Sequence, residues 1–108
     1  MSLEFFPFVP MYGQSVPGNE NHIAAALGTG VFVLYLIPNA NCVVIQATDQ
    51  NIRYTLNGQD PTATFGFQLR AGDSPMMIAI NPNVVLKFFR EASRAYLQAE
   101  FGKNALGR

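Results

Sequence analysis

The sequence predicts an all-β domain, a compact β-sandwich or jelly roll of about eight short strands with an extended N-terminal arm. Turn residues recur about every ten positions after residue 21, as at 28–30, 38–41, 48–51, 57–58, 71–75 and 81–83. The segments between them are rich in β-branched and aromatic residues, which are typical of strands. With 108 residues the chain has the length of one small domain.

The apolar runs between these turns predict strands at residues 23–27, 31–37, 42–47, 51–56, 65–69 and 75–80. Asn57-Gly58 forms a turn in this scheme, because both residue types accept a positive φ, and Asp60-Pro61 directs the chain back. The single cysteine, Cys42, lies in an apolar run and is expected to be a buried thiol.

Residues 84–101 fit two interpretations. Spacings of three and four place one set on a single helical face: Val85, Phe88, Phe89, Ala92, Tyr96 and Ala99. The alternative is a β-hairpin that turns at residues 92–94 and puts Leu86, Phe88 and Arg90 on one face. The pattern alone leaves both open.

Residues 1–20 are predicted to form an extended apolar arm, followed by the sandwich domain at 21–108. Pro7, Pro10 and Pro17 exclude a helix or a central strand. The arm is too apolar for a solvated linker. It is expected either to fold over its own domain or to dock on a neighbouring subunit, with these residues at the interface: Phe5, Phe6, Phe8, Met11 and Tyr12.

The chain has seven basic and seven acidic residues, and only 13% of it is charged. So few charges leave apolar surface that is expected to be covered by other chains, which predicts a homo-oligomer, with a trimer favoured. The first 48 residues contain no Lys or Arg, so nucleic acid is not expected as a partner. The longest apolar stretch, at 23–37, is shorter than a membrane helix, and no signal-peptide pattern precedes it.

No catalytic, cofactor-binding or metal-binding residues are predicted, and the chain is not expected to be an enzyme. His22 is the only histidine, and the carboxylates Asp49, Asp60 and Asp73 lie in turn segments where they bond backbone N–H groups. A small enzyme of barrel or cupin type is therefore disfavoured. The rings of Tyr35, Tyr54 and Phe67 are expected to pack in the core, with a sugar-binding platform as the alternative.

Two tracts of the chain resemble known families. The tract from Tyr54-Thr55 through Gly58 to Pro61-Thr62 is similar to the immunoglobulin-like module appended to chitobiases. Residues 41–103 resemble small virion proteins of tailed bacteriophages in the order of three tracts. These are the segment 52–64, the run Gly66-Phe67-Gln68-Leu69-Arg70-Ala71-Gly72, and a hairpin from Leu86 to Phe101.

The phage resemblance favours strands for residues 84–101 and implies a non-enzymatic virion structural protein. It implies a capsid decoration or cement protein that seals subunit seams, with the major capsid protein or other virion subunits as partners. Such a protein is assembled in the cytoplasm of the host bacterium and remains on the virion. The alternatives are a phage tail or head-to-tail component and a carbohydrate-binding or accessory immunoglobulin-like module.

Overall fold

The computed structural model describes residues 8–10, 22–37 and 39–104, and within these ranges every regular element is a β-strand. The prediction of an all-β fold is confirmed. The strands are β1 (Phe8–Pro10), β2 (His22–Ala26), β3 (Phe32–Leu34), β4 (Cys42–Thr48), β5 (Ile52–Thr55), β6 (Phe67–Leu69), β7 (Met76–Ala79), β8 (Leu86–Arg90) and β9 (Tyr96–Asn104).

The strands form two antiparallel sheets with the connectivity of a jelly roll. In the first sheet the order is β1-β9-β4-β7, and β2 also pairs with β9. Phe8 pairs with Asn104 and His22 with Glu100, so β1 and β2 lie end to end along β9 and fill one strand position. The second sheet has the order β3-β8-β5-β6. From β2 onward the chain changes sheets at every connection except β5–β6, which produces the eight-position jelly roll.

Residues 84–101 form strands, but the predicted hairpin between them is wrong. β8 pairs with β3 and β5 in the second sheet, whereas β9 pairs with β4 and β2 in the first. The connection at 91–95 is therefore an arch between the sheets, and Arg94 takes a φ of 69° within it. On the face predicted to hold Leu86, Phe88 and Arg90, Leu86 and Phe88 are fully buried and Arg90 is half-buried.

Short arches fix how the two sheets face one another. Only residues 49–51 join β4 to β5, and only residues 91–95 join β8 to β9. These connections place β4 over β5 and β9 over β8. The edge of the first sheet that holds β1 and β2 therefore lies on the opposite side of the sandwich from β6, an edge strand of the second sheet.

The core lies between the sheets and follows the two-residue period of the strands. Along β4, Val43, Ile45 and Ala47 are buried, while the residues between them are half-buried. Cys42 is buried as predicted, and its burial raises the pKa of the thiol. The largest fully buried side chains include Phe88, Phe101, Ile45, Ile52, Leu86 and Leu97.

The expectation that Tyr35, Tyr54 and Phe67 all pack in the core is wrong for two of the three. Tyr54 is buried, but Tyr35 is 80% exposed and Phe67 is 61% exposed. Tyr35 follows β3 and Phe67 begins β6, and these are the two edge strands of the second sheet. An edge strand has a neighbour on one side only, so a ring on it can reach solvent even though Leu34 and Leu69 on the same two strands are buried.

Candidate interaction surface

An open cleft of about 400 Å³ lies beside the β5–β6 edge of the second sheet. We call it the aromatic cleft. Two partly exposed rings belong to it, Phe65 at 46% and Phe67 at 61%. Among the residues that the structure describes, no charged side chain lines it. Its lining residues are Thr55, Leu56, Asn57, Gln59, Phe65, Gly66 and Phe67.

One wall of the cleft is the turn that follows β5. Gly58 has a φ of 87°, the positive value expected for the Asn-Gly pair. The side-chain oxygen of Asn57 accepts a hydrogen bond from the backbone N–H of Gln59 at 3.1 Å, and the Thr55 hydroxyl donates to the carbonyl of Gln59. Val85 donates its N–H to the carbonyl of Leu56 at 3.0 Å. These bonds give the wall a defined shape.

The other wall depends on Gly66. Its φ is 119°, a conformation that L side chains rarely adopt, and a Cβ at this position would lie 2.9 Å from the Tyr54 carbonyl oxygen. This close approach brings the ring of Phe67 to 5.5 Å from the ring of Tyr54, centroid to centroid. The buried Tyr54 thus supports an exposed Phe67, which orients that ring toward solvent at the cleft.

A polar cluster holds the β6 backbone beside the cleft. Arg53 donates to Glu91 at 2.6 Å and to the Gly66 carbonyl at 3.0 Å, and the Gln68 amide donates to Glu91 at 2.8 Å. Burial works to raise the pKa of Glu91, but the hydrogen bonds from Gln68 and Arg53 and the charge of Arg53 outweigh it. The pKa of Glu91 is therefore lowered.

A second polar cluster lies on the first sheet, where His22 faces β9. Its Nε2 lies 2.8 Å from the Gln98 side-chain oxygen, and its Nδ1 lies 2.9 Å from a Glu100 carboxylate oxygen. Hydrogen bonds to Gln98 and then to Glu100 raise the pKa of His22, although partial desolvation opposes them. This cluster joins two strands of one sheet, and with the His22 side chain half exposed its geometry is that of a surface ion pair.

The residues predicted for the arm interface fall mostly outside the described part of the chain. Phe5, Phe6, Met11 and Tyr12 lie outside it. Phe8 begins β1, so the backbone of residues 8–10, within the range predicted as the arm, pairs with β9 of the same chain. The domain boundary predicted at residue 20 also lies outside the described ranges.

Tyr35, Tyr54 and Phe67 do not form one platform. Tyr54 and Phe67 are in contact, but Tyr35 lies beyond the opposite edge of the same sheet. The cleft residues Phe65, Asn57 and Gln59 were not predicted as site residues. The signal in the sequence is a pair of Phe residues around Gly66, shortly after the turn-forming pairs Asn57-Gly58 and Asp60-Pro61.

In the described ranges, no three His, Cys, Asp or Glu side chains group in a way that would hold a metal ion. Nor does any helix there have the length and apolar character needed to cross a membrane.

No family model matches the chain. Neither a curated protein nor a solved structure matches it.

The chemistry of the aromatic cleft is that of an adhesive surface. The exposed parts of Phe65 and Phe67 together amount to about one whole Phe side chain, about 200 Å². Only part of that area faces the cleft, so covering it there would contribute about 2 kcal/mol, from which the cost of association is subtracted. The lining offers uncharged amides and a hydroxyl around these rings, so it suits an apolar protein segment or the face of a sugar ring.

Proposed function

We propose that the protein is a structural component of tailed-bacteriophage virions and that it decorates or cements the capsid. The observation that carries the proposal is an uncharged aromatic cleft held open on the edge of a jelly roll. Jelly rolls are a common architecture of viral capsid domains, although a fold alone does not define a function. The resemblance of residues 41–103 to phage virion proteins supports the same assignment.

The cleft supports adhesion to protein. Its rings match the apolar side chains of a neighbouring chain, and its lining has no cation to pair with phosphates of nucleic acid or lipid headgroups. A cement protein joins subunits through many identical weak contacts, and a shallow cleft on each copy suits that use. The proposed partners are the major capsid protein and other copies of this chain, on particles assembled in the bacterial cytoplasm.

The direct test is the composition of purified virions of the phage that encodes the chain. Particles are banded by density, heads are separated from tails, and the protein is quantified by mass spectrometry against the major capsid protein. The proposal expects it in the head fraction, in a fixed ratio to the capsid protein. A tail or connector component would instead occur in a few copies in the tail or neck fraction. Absence from washed virions would reject all virion roles.

The cleft variant Phe67→Ser connects this test to the structure. Phe67 is largely exposed, so the variant is expected to fold but to be incorporated into particles less than the wild type. Tyr35→Ser is the matched control, because it removes an exposed ring from the opposite edge of the same sheet. Equal incorporation of the two variants would show that the cleft does not contribute to particle binding.

Carbohydrate binding is the second candidate, because one observation favours it. The exposed Phe67 ring lies beside the amides of Asn57 and Gln59, and an aromatic face with amides nearby can stack on a sugar ring and bond its hydroxyls. Binding to an array of bacterial glycans that Phe67→Ala abolishes and Tyr35→Ala preserves would support this candidate. No binding at millimolar glycan would reject it.

A further inference from the structure

We infer that the aromatic cleft of one copy receives the Phe5-Phe6 segment of a second copy of this chain. The inference deepens the proposed function, on which it rests for its biological setting, because it names the segment that the cleft binds. It identifies a contact between copies in which one contributes the cleft and the other contributes the arm.

The chemistry of the segment matches that of the cleft. Phe5 and Phe6 are adjacent large rings followed by Pro7, and the only charge in the first 19 residues is Glu4. The cleft has two part-exposed rings and no charged lining residue. Aromatic rings pack well on one another, and aromatic anchors commonly dominate protein interfaces. Pro7 restricts the backbone next to these anchors, which reduces the entropy lost when the segment is bound.

The positions of β1 and of the cleft favour an occupant that comes from another copy. Phe8 pairs with Asn104 at one edge of the first sheet, and the cleft lies beside β6 at the opposite edge of the second. Three strand spacings and one sheet spacing separate these edges, a straight line of about 17 Å across the sandwich before any displacement along the strands is added. The α-carbons of Phe6 and Phe5 lie at most about 7 and 11 Å from that of Phe8. The path around the surface is longer than the straight line.

The limit on distance within one chain does not apply to the segment of a second copy. Each copy carries one segment and one cleft at opposite edges, so the contact is head-to-tail unless two copies exchange segments reciprocally. Head-to-tail contacts close into rings such as a trimer when the rotation between copies allows it. Either arrangement agrees with the homo-oligomer predicted from the low charge content.

Complementation between two defective chains tests the inference on the isolated protein. The arm variant carries Phe5→Ser and Phe6→Ser, and the cleft variant carries Phe67→Ser. In sedimentation velocity, the oligomer of each variant alone is expected to dissociate at a protein concentration at least tenfold above the concentration at which the wild-type oligomer dissociates. An equimolar mixture is expected to recover a species that contains one intact contact. Tyr35→Ser, the matched control, is expected to associate like the wild type.

A disulfide cross-link between introduced cysteines gives a second test, which is used if one of the serine variants is poorly folded. The only native cysteine, Cys42, is buried, so introduced thiols react selectively. A chain with Phe6→Cys is mixed with a chain carrying Phe67→Cys under mild oxidation, and a disulfide-linked heterodimer is expected. The control pair, Phe6→Cys with Tyr35→Cys, is expected to give at least tenfold less disulfide-linked heterodimer. A monomeric wild type, no recovery on mixing, or equal cross-linking in both pairs would overturn the inference. Such a failure leaves the proposed function standing if the protein is found in virion heads.

Discussion

Gly66 lies against the backbone of Tyr54 so closely that a methyl group does not fit between them. A Cβ at position 66 would stand 2.9 Å from the carbonyl oxygen and 3.3 Å from the nitrogen of Tyr54, and 3.4 Å from the Cβ of Pro61. The contact lets the chain enter β6 directly beside β5. Phe67, the next residue, then places its ring on that of Tyr54.

Gly66→Ala is therefore expected to destabilise the protein by about 2–4 kcal/mol, because it adds both a steric clash and strain at a positive φ. The measurement is the free energy of unfolding from denaturant titration. Gly28→Ala is the matched control, since no atom lies within 4 Å of a Cβ built there, and it is expected to change stability by less than about 0.5 kcal/mol. Equal effects of the two changes would contradict the close approach.

Phe88→Ala is expected to cost about 3–5 kcal/mol, because the ring is fully buried and packs near the rings of Phe32 and Tyr54. Phe67→Ala removes a ring of the same size that is 61% exposed, and its expected cost is about 1 kcal/mol. Thermal or denaturant unfolding of the two variants checks the difference. A larger loss for Phe67 than for Phe88 would show that the core is not where the jelly roll places it.

Glu91 is expected to make stability depend on pH in the acid range. Its pKa in the folded protein is lowered from 4.5, so its contribution is complete above that value and is lost as the pH falls through the lower, folded value. Glu91→Gln is expected to cost about 1 kcal/mol at pH 7. The difference from the wild type should shrink below pH 4.5. The free energy of unfolding of both proteins, measured across this acid pH range, tests the direction of the effect. A stability difference between wild type and Glu91→Gln that grows on acidification would refute the prediction.

His22 is expected to titrate above 6.5, because acceptors face both of its ring nitrogens. The raised pKa means that its contribution to stability is complete below pH 6.5 and is lost as the pH rises through the folded value. That contribution is small because the ring is half exposed. His22 is the chain's only histidine, so its NMR titration is unambiguous. Gln98→Ala and Glu100→Gln should each lower the midpoint, whereas Glu91→Gln should leave it unchanged.

Two N-terminal deletions are expected to differ in stability. Removal of residues 1–7 leaves all nine strands, whereas removal of residues 1–12 also takes away β1 and its pairing with β9. The shorter deletion is expected to melt near the wild-type temperature, and the longer one several degrees lower. Differential scanning calorimetry of both chains measures this. Identical melting temperatures would show that β1 adds no stability to the sheet.

The positions of the strands were readable from the sequence because strand formation depends on local composition. The turn residues at 48–51 and 71–75 separate apolar runs. The predicted strand at 42–47 is one residue shorter than the observed β4 at its C-terminal end, and the predicted strand at 75–80 is one residue longer than β7 at each end. Burial of Cys42 and the inward direction of Leu86 and Phe88 also followed from local pattern. These features need no knowledge of distant residues.

The choice of strand partners was not readable in this way. A hairpin and an arch both consist of two strands joined by a short turn, so residues 84–101 carry the same local signal for either. The arch forms because β5 and β4, more than 30 residues earlier in the chain, pair with β8 and β9 in different sheets. Non-local pairing of this kind has no sequence period of its own.

The sequence by itself determined an all-β chain of short strands with a charge-poor, apolar start. Long-range strand pairing decides which of two paired rings reaches solvent, because Tyr54 and Phe67 are cross-strand partners and only Phe67 stands on the edge strand. Tyr54 is covered because β5 lies between two strands, and Phe67 is open because β6 has one neighbour. The aromatic cleft exists only because the edge strand, the Asn57-Gly58 turn and the close approach at Gly66 meet in the folded protein.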